Sequence, residues 1–321
     1  MESLATEDRT LAFERSRRRL WGIAYRMLGS RADADDMVQE AYLRWHRAEV
    51  DGIRNPEAWL ATAITRSCID RLRQARLERA AYVGPWLPEP LVGEPASTGD
   101  EAAGLASDLS MAFLAVLERL APEERAAFLL REVFDSGYDD VARILGKSQA
   151  ACRQIVSRAR RRVRADRPRV QVSATARTLL LEALVRAVRS RDREALVRLI
   201  ADDATWTTDS GGKVRTAARQ VIRGADRIAR LLLGISRRYL AGVQLRTVDV
   251  NGEPALALMR EDRIGAVWCV RTDGVHILDV YNVMNPDKLR AVRPGGPREP
   301  AVTGAPRRTS GGKHQPRKER R

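Results

Sequence analysis

Amide, guanidinium and hydroxyl side chains recur at helical spacing between residues 148 and 158. They are Ser148, Gln149, Arg153, Gln154, Ser157 and Arg158. Side chains of these types can hydrogen-bond to base edges and phosphates in the major groove of duplex DNA. The pattern therefore predicts a helix that reads DNA, with a plain helical hairpin as the competing interpretation.

A second cationic set accompanies a tryptophan between residues 55 and 79. Trp59 stands near the start of a helix whose later turns carry Arg66, Arg71, Arg73, Arg76 and Arg79. Aromatic rings that stack on unpaired bases, beside arginines that neutralise phosphate, form a groove for single-stranded nucleic acid. A core tryptophan with solvated arginines is the competing interpretation, and it is the commoner outcome for such a helix taken alone.

Candidates for enzymatic or metal chemistry are few. Asp209, His276 and Asp279 could abstract a proton, but alternation along a strand places His276 and Asp279 on opposite faces. The three histidines are not at metal-ligand spacing, and the three cysteines form no CxxC pair. The sequence predicts a protein that is not an enzyme and needs no metal or cofactor.

The charge balance indicates a polyanionic partner. Lys and Arg number 57 against 42 Asp and Glu, which gives a net charge of +15, and most of these bases are arginine. Arginine suits phosphate recognition, although a GC-rich coding sequence can also enrich it. No apolar stretch approaches the roughly 20 residues of a membrane span. The start also lacks the pattern of a secretion signal, so we expect a cytoplasmic protein without membrane contact.

Changes in pattern divide the chain into five segments. Helical spacing of apolar residues covers 8–82 and 105–168, separated by a linker at 83–104 with four prolines, four glycines, four acids and no base. Residues 175–290 combine helices with β-branched runs separated by turns such as Asn251-Gly252 and Asp273-Gly274, which predicts an α+β domain with an antiparallel meander. Residues 291–321 hold nine bases and two acids, which is typical of a disordered tail.

The DNA-reading helix belongs to a predicted helix-turn-helix. Asp140 to Leu145 forms the first helix, Gly146 allows the turn, and Ser148 caps the second helix. The apolar contacts between the helices are assigned to Val141, Ala142, Leu145, Ala151, Ile155 and Ala159. This motif favours DNA binding over a structural hairpin.

Four motifs in order give the first half of the chain a resemblance to bacterial extracytoplasmic-function sigma factors. They are Asp35-Asp36-Met-Val-Gln-Glu40, Asn55-Pro-Glu-Ala-Trp-Leu60, Leu120-Ala-Pro-Glu-Glu-Arg125 and the helix-turn-helix. The resemblance implies two all-α domains, sigma regions two and four, that bind core RNA polymerase and promoter DNA. It implies contacts with the polymerase β′ clamp and β flap.

The resemblance also implies roles for single residues. The helix with Asp35, Asp36, Gln39, Glu40 and Arg44 would dock on the β′ clamp. The loop 51–55 and the residues Asn55, Trp59, Thr62, Arg66 and Arg71 would bind the −10 element and capture a flipped base. The helix-turn-helix residues named above would read the −35 element, and the linker would thread toward the polymerase channels.

The α+β segment resembles a SnoaL-like, ketosteroid-isomerase-like cone. With it come Trp86-Leu-Pro88-Glu-Pro, Asp209-Ser-Gly211-Gly212-Lys213 and Asn285-Pro286-Asp287-Lys288-Leu, as in the sigma group that carries this domain in place of a separate anti-sigma factor. The resemblance implies a regulatory domain, with a protein or a small ligand as its contact, and a tail motif needed for activity. The group usually has glycine where Ser210 stands, which puts a positive φ there in question.

A ligand-sensing helix-turn-helix repressor is the alternative function. It accounts for a duplex reader and a cone-shaped pocket. It leaves the acidic helix, the helix with Trp59 and Arg66, and the base-free linker without a task.

Overall fold

The computed structural model describes residues 2–49, 53–93, 109–166 and 172–290. Part of the predicted linker, residues 94–104, and the whole predicted tail, 291–321, lie outside the described residues. So do Asp51 and Gly52 of the loop assigned to the −10 element. None of the helices described is long and apolar enough to cross a membrane.

Three helices form the first unit: α1 Glu2–Leu28, α2 Arg31–Arg47 and α3 Pro56–Ala80. Ser30 caps α2, because its hydroxyl accepts a hydrogen bond from the Asp33 amide at 3.3 Å. Asn55 caps α3 by accepting from the Ala58 amide at 3.0 Å, and proline occupies the first turn. These caps fix where each helix starts, and hence which residues of α2 and α3 face outward.

Four helices form the second unit: α4 Met111–Leu117, α5 Pro122–Glu132, α6 Tyr138–Leu145 and α7 Gln149–Asp166. Helices α6 and α7 make the expected helix-turn-helix. Gly146 ends α6 with φ of +64°, and the Ser148 hydroxyl accepts from the Ala151 amide at 3.2 Å. The buried contacts come from Val141, Ile144, Cys152, Ile155 and Val156, whereas the assigned Ala142 and Leu145 are only partly buried.

The two helical units share one hydrophobic core. Apolar side chains from α1 and α3 pack in the same cluster as Phe113, Leu117 and Ala159 of the second unit. A buried arginine joins them as well, because the Arg125 guanidinium donates to the Met27 carbonyl of the first unit at 2.6 Å while it pairs with Glu118 of its own unit at 2.8 Å. The units are therefore packed as one body in this structure.

The third unit is α+β, with the cone-like architecture that the sequence resemblance implied. Its helices are α8 Ala174–Ser190, α9 Arg193–Leu199, α10 Ala225–Tyr239 and α11 Pro286–Leu289. Its strands are β1 Ile200–Asp209, β2 Ile222–Arg223, β3 Gln244–Val250, β4 Glu253–Arg260, β5 Arg263–Thr272 and β6 Ile277–Val283. They form one sheet in the order β2-β1-β6-β5-β4-β3.

The predicted antiparallel meander is present as β3 to β6. Strand β1 was not predicted, and it pairs parallel to β6. It follows α9 with no turn residue between them, and Asp202 and Asp203 interrupt its apolar alternation. The sequence therefore showed neither a turn that marks the start of a strand nor the regular alternation of apolar and polar residues.

The sheet is covered on both faces. On one face α8, α9 and α10 enclose Trp206 and Trp268, whose rings meet edge to face with centroids 5.1 Å apart. On the other face Leu87 and Val92 of the linker, Met111 of α4 and Leu289 of α11 pack against the strands. The linker and the second helical unit thus complete the core of the third unit.

We expect Arg125→Ala to lower the free energy of unfolding by about 3 kcal/mol. The change leaves Glu118 without one of its two guanidinium partners and strands the Met27 carbonyl in the core. Urea denaturation, followed by helical circular dichroism, measures the effect. The exposed Arg161→Ala serves as control, and equal unfolding midpoints for the two variants would contradict the structural role of Arg125.

Candidate nucleic-acid interface

The outer face of α2 is acidic. Ala34, Val38, Ala41 and Trp45 point into the core, while Asp35, Asp36, Gln39 and Arg44 are exposed and Glu40 is half-buried. The Trp21 indole donates to Asp35 at 2.7 Å, and Glu40 pairs with Arg44. The five residues assigned to polymerase binding therefore share one solvent-facing side of the helix.

A groove of about 860 Å³ opens beside the start of α3. Four of the five residues assigned to the −10 element line it, namely Asn55, Trp59, Thr62 and Arg66. Trp59 also packs on Trp45, with ring centroids 5.4 Å apart, so this residue both contacts the core and lines the groove. Arg44, Arg47, Arg54 and Arg143 add positive charge to the walls.

Arg71, the fifth residue, lies away from the groove. Its guanidinium donates to Asp33 at 2.9 Å and to Glu78 at 3.0 Å. The next three arginines of α3 bond instead to groups of the second unit. Arg73 bonds to Glu123, Arg76 to the Leu120 carbonyl and Arg79 to Glu118. Much of the cationic face of α3 therefore holds the two helical units together.

Helix α6 covers part of the groove. The Arg66 guanidinium donates to the Ile144 carbonyl at 3.0 Å and to the Arg143 carbonyl at 2.9 Å. Arg143 in turn donates to the Thr62 hydroxyl at 3.4 Å. Carbonyl oxygens at the C-terminal end of a helix carry partial negative charge, so they occupy Arg66 as a phosphate would. The Arg66 side chain remains exposed, but an anion that binds it must compete with these two carbonyl oxygens.

The reading helix α7, by contrast, is open. Its six assigned residues, Ser148, Gln149, Arg153, Gln154, Ser157 and Arg158, are all exposed. The Arg153 guanidinium lies 5.3 Å from the centre of the Tyr138 ring and donates to Gln149 at 3.3 Å. These contacts hold Arg153 beside the N-terminal turn of the helix, where base contacts are made in helix-turn-helix proteins.

The third unit contacts the helical units and the linker around Asp209, which is fully buried at the end of β1. We call the contacts of Asp209 with Tyr82, Leu87 and Lys288 the joint. Its carboxylate accepts hydrogen bonds from the Leu87 amide at 2.8 Å, the Lys288 ammonium at 2.7 Å and the Tyr82 hydroxyl. Burial, helped by the hydrogen bond to Asp209, raises the pKa of Tyr82. Burial lowers the pKa of Lys288 although Asp209 opposes that shift. One carboxylate thus ties Tyr82, which follows α3, and Leu87 of the linker to the third unit, and it also pairs with Lys288 of the third unit's own 285–289 motif.

Trp86 lies between two cations in this joint. The Arg79 guanidinium is 3.6 Å and the Lys288 ammonium 3.8 Å from the centre of its rings. The Trp86 indole also packs directly against Gly29, because a side-chain carbon at position 29 would lie only 2.8 Å from the ring. Pro88 is buried at the same place.

The glycine motif requires both of its glycines. Gly211 and Gly212 have φ of +58° and +73°, whereas Ser210 has no positive φ, which resolves the question raised by its departure from the family pattern. A side-chain carbon at Gly211 would lie 2.6 Å from Asn285, and one at Gly212 would lie 2.9 Å from Val83. The structure thus brings together the three motifs that were predicted to be regulatory, with Lys213 paired to Asp287 at the surface and Pro286 opening α11.

A second contact between the third unit and the helical units was not predicted from the sequence. Asn251 has φ of +56° in the β3–β4 turn, and its amide donates to the Tyr25 hydroxyl at 2.9 Å and to the Leu109 carbonyl at 2.8 Å. Its side-chain oxygen accepts from the Leu91 amide at 2.8 Å. Asn251-Gly252 indicated only a hairpin, and nothing in that dipeptide signals contact with a helix 226 residues away.

The three candidates for proton abstraction do not meet. Asp209 is enclosed in the joint, Asp279 accepts from Arg271 and Thr205 on the sheet, and His276 is exposed beside Asp273. Among the described parts of the chain no cluster of His, Cys, Asp and Glu could hold a metal ion. The arrangement offers no shared acid-base pair.

Comparison with known proteins assigns both helical units. Residues 12–78 match the family model Sigma-70 region 2, and residues 110–163 match Sigma-70, region 4. The chain is 40% identical over 295 residues to the ECF RNA polymerase sigma factor SigJ of Mycobacterium tuberculosis, covering 86% of this chain and 92% of the relative. It is 28% identical over 292 residues to a probable ECF RNA polymerase sigma factor, SigI, of the same species, covering 89% of this chain and 97% of the relative.

A solved structure covers all three units. The crystal structure of Mycobacterium tuberculosis SigJ, described as an extracytoplasmic function sigma factor, superposes with a TM-score of 0.69 at 36% identity. The superposition covers 87% of this chain and 97% of the solved one.

We expect Asp209→Asn and Lys288→Met each to destabilise the joint by about 3 kcal/mol, since each leaves the partner's buried charge unpaired. The double variant should lose less than the sum of the two, because it removes both charges. Hydrogen exchange of residues 83–93, which include the Leu87 amide bonded to Asp209, measures the opening. Asp203→Asn, an exposed aspartate of the same strand, is the matched control. Strictly additive losses would show that Asp209 and Lys288 do not act as a pair.

Proposed function

Because the chain belongs to the extracytoplasmic-function sigma factors, we propose that its fused third domain regulates transcription initiation in place of a separate anti-sigma factor. Sigma factors bind core RNA polymerase and promoter DNA and are initiation factors rather than enzymes. Because sigma factors act with the polymerase, we propose that this chain works in the cytoplasm.

The polymerase contact is proposed for the acidic face of α2. Asp35, Asp36, Gln39, Glu40 and Arg44 would dock on the β′ clamp, because they are outward-facing while the opposite side of α2 is buried. The second helical unit would meet the β flap, which holds α7 at the −35 element. Charged side chains at such an interface set orientation and association rate more than affinity.

The promoter contacts are proposed for two places. The groove with Asn55, Trp59, Thr62 and Arg66 would take the unpaired −10 strand, with its cationic walls neutralising phosphate. Arg71 would contribute only by supporting α2 and α3, since Asp33 and Glu78 engage it. The exposed residues of α7 would read the −35 duplex.

The observation that carries the regulatory proposal is the buried carboxylate of Asp209. It fastens the third domain to Tyr82 and the linker while α6 occupies Arg66 in the groove. In this form Arg66 is already hydrogen-bonded within the protein, so the apparent affinity of the groove for a promoter strand would be reduced by the fraction of chains in which Arg66 is released. The third domain would therefore act as an internal restraint on initiation.

The contact of the third domain is proposed to be protein rather than a small ligand. Trp206, Trp268 and Leu232 fill the helix-covered side of the sheet, and the linker covers the other side. A ligand-sensing repressor is not favoured. That reading would leave the acidic face of α2 and the covered groove without a role, and the similar proteins are sigma factors.

We expect Asp209→Asn to lower the concentration of chain that gives half-maximal run-off transcription severalfold, because release of the joint raises the open fraction. The assay uses core polymerase and the upstream region of the chain's own gene, with Asp203→Asn as control. Chains truncated at Pro168 and at Ala291 test the third domain and the tail.

Truncation at Pro168 exposes the apolar side chains of Leu87, Val92 and Met111 to solvent. The point variant Asp209→Asn retains the domain that covers these side chains and is therefore the test of the restraint. Unchanged or weaker transcription with Asp209→Asn would contradict the restraint. No transcription with any chain, together with duplex binding that needs no polymerase, would favour the repressor.

We expect Arg153→Ala to weaken the complex of holoenzyme with its promoter by about 1 to 3 kcal/mol if the guanidinium makes a bidentate base contact. A gel shift with holoenzyme measures it, and Arg161→Ala on the same helix is the control. Equal shifts for both variants would remove Arg153 from the −35 site.

A further inference from the structure

The outer face of α10 carries a line of arginines that the proposed function does not use. Arg227, Arg230, Arg237 and Arg238 are all exposed and, with Gly234 between the two pairs, follow one side of the helix at spacings of three and four residues. We call these four residues the α10 arginine stripe. At 1.5 Å per residue the stripe extends over about 16 Å.

The positive charge of the stripe is not balanced locally. Residues 214–247 contain eight arginines and a single acid, Asp226, whereas residues 248–290 contain seven acids and five bases. Asp226 pairs with Arg230 and with Arg193 of α9. Arg227, Arg237 and Arg238 have no acidic partner among the residues that the structure describes. The third domain is thus basic on one side in particular.

The stripe also faces away from the other two units. Helix α10 covers the sheet face that holds Trp206 and Trp268, while the linker, α4 and α11 cover the opposite face. Within the described parts of the chain, the contacts that join the units therefore leave the outer face of α10 uncovered. A partner could reach it whether the joint is closed or open.

The geometry points to the phosphate backbone of duplex DNA as the occupant of this surface. Duplex DNA carries one charge per about 1.7 Å of its axis with both strands counted, or one per about 3.4 Å on each strand, so a strand running along the stripe presents about five phosphates. Guanidinium groups bond phosphate oxygens in a fork, so each arginine of the stripe can hold a phosphate with two hydrogen bonds. The third domain would bind promoter DNA without regard to its sequence.

Gly234 supports this assignment. It lies within α10, where alanine would stabilise the helix by about 1 kcal/mol, and nothing lies within 4 Å of the side-chain carbon that alanine would add. The fold therefore does not require glycine at this position. Its effect is to leave the helix backbone open between the two arginine pairs, where a phosphate can approach closely.

An acidic protein surface fits less well. Protein interfaces concentrate their binding energy in a buried apolar or aromatic centre. Of the large apolar side chains on α10, Tyr239 is the exposed one, and it stands at the end of the stripe rather than in its middle. A row of arginines without such a centre is typical of phosphate binding.

The test compares two full-length triple variants of equal charge. Arg227→Gln with Arg237→Gln and Arg238→Gln neutralises the stripe, while Arg186→Gln with Arg189→Gln and Arg198→Gln removes the same charge from α8 and α9. Fluorescence anisotropy measures binding to a duplex of unrelated sequence between 50 and 200 mM salt. The helix-turn-helix and the tail are the same in every chain, so their contributions cancel in the comparison.

Log affinity decreases linearly with log salt concentration. Relative to the unmodified chain, we expect the magnitude of this slope to fall by about 2 to 3 for the stripe variant and by less than 1 for the control. Equal losses would reduce the stripe to bulk charge and overturn the proposal. No loss in either variant would also overturn it. A loss of affinity for core polymerase by the stripe variant, with duplex binding unchanged, would assign the surface to an acidic protein instead. None of these readouts depends on whether the third domain restrains initiation.

Discussion

The arrangement of the molecule depends on one buried ion pair, that of Asp209 with Lys288. Taking a carboxylate and an ammonium out of water is costly, and the cost is offset only when every remaining bonding position is filled. Here the Leu87 amide, the Tyr82 hydroxyl and the Gly211 amide complete the carboxylate, while the rings of Trp86 and the Leu87 carbonyl complete the ammonium. These groups come from three separate segments of the chain, residues 82–87, 209–211 and 288, so the pair is satisfied only when all three are assembled. That requirement makes docking of the third domain close to all-or-none.

The secondary structure that local residue chemistry determines was predictable, and the contacts between distant segments were not. Gly146 and Ser148 define the helix-turn-helix because a turn and a cap need those residue types, and the turns of the β3–β6 meander follow in the same way. Strand β1 was not predicted because it contains acidic residues and directly follows a helix. The three regulatory motifs could be recognised from their resemblance to a family, but their meeting place could not. Tyr82 and Asp209 lie 127 residues apart, and no pattern in either segment names the other.

The arginines show a similar limit. Composition and spacing cannot tell a guanidinium that will meet phosphate from one that is already bonded within the protein. Arg71, Arg73, Arg76 and Arg79 on α3 all have internal acceptors, and Arg66 is held by two carbonyl oxygens. On α7 and α10, by contrast, many arginines face solvent. The large positive net charge is therefore spread unevenly between groups that hold the fold together and groups that are free to act outside it.

The sharing of the sheet's second face has a consequence for how such a protein arises. Leu87, Val92 and Met111 belong in sequence to the linker and the region-four unit, yet they complete the core of the cone. A cone inserted by gene fusion behind an unrelated sigma factor would display that apolar face to water. The linker motif and the cone must therefore be inherited as a unit, and recombination that exchanges the last domain at its apparent boundary would yield insoluble chimaeras. In families built on this plan, the breakpoints tolerated during evolution should lie upstream of Tyr82 rather than at the start of α8.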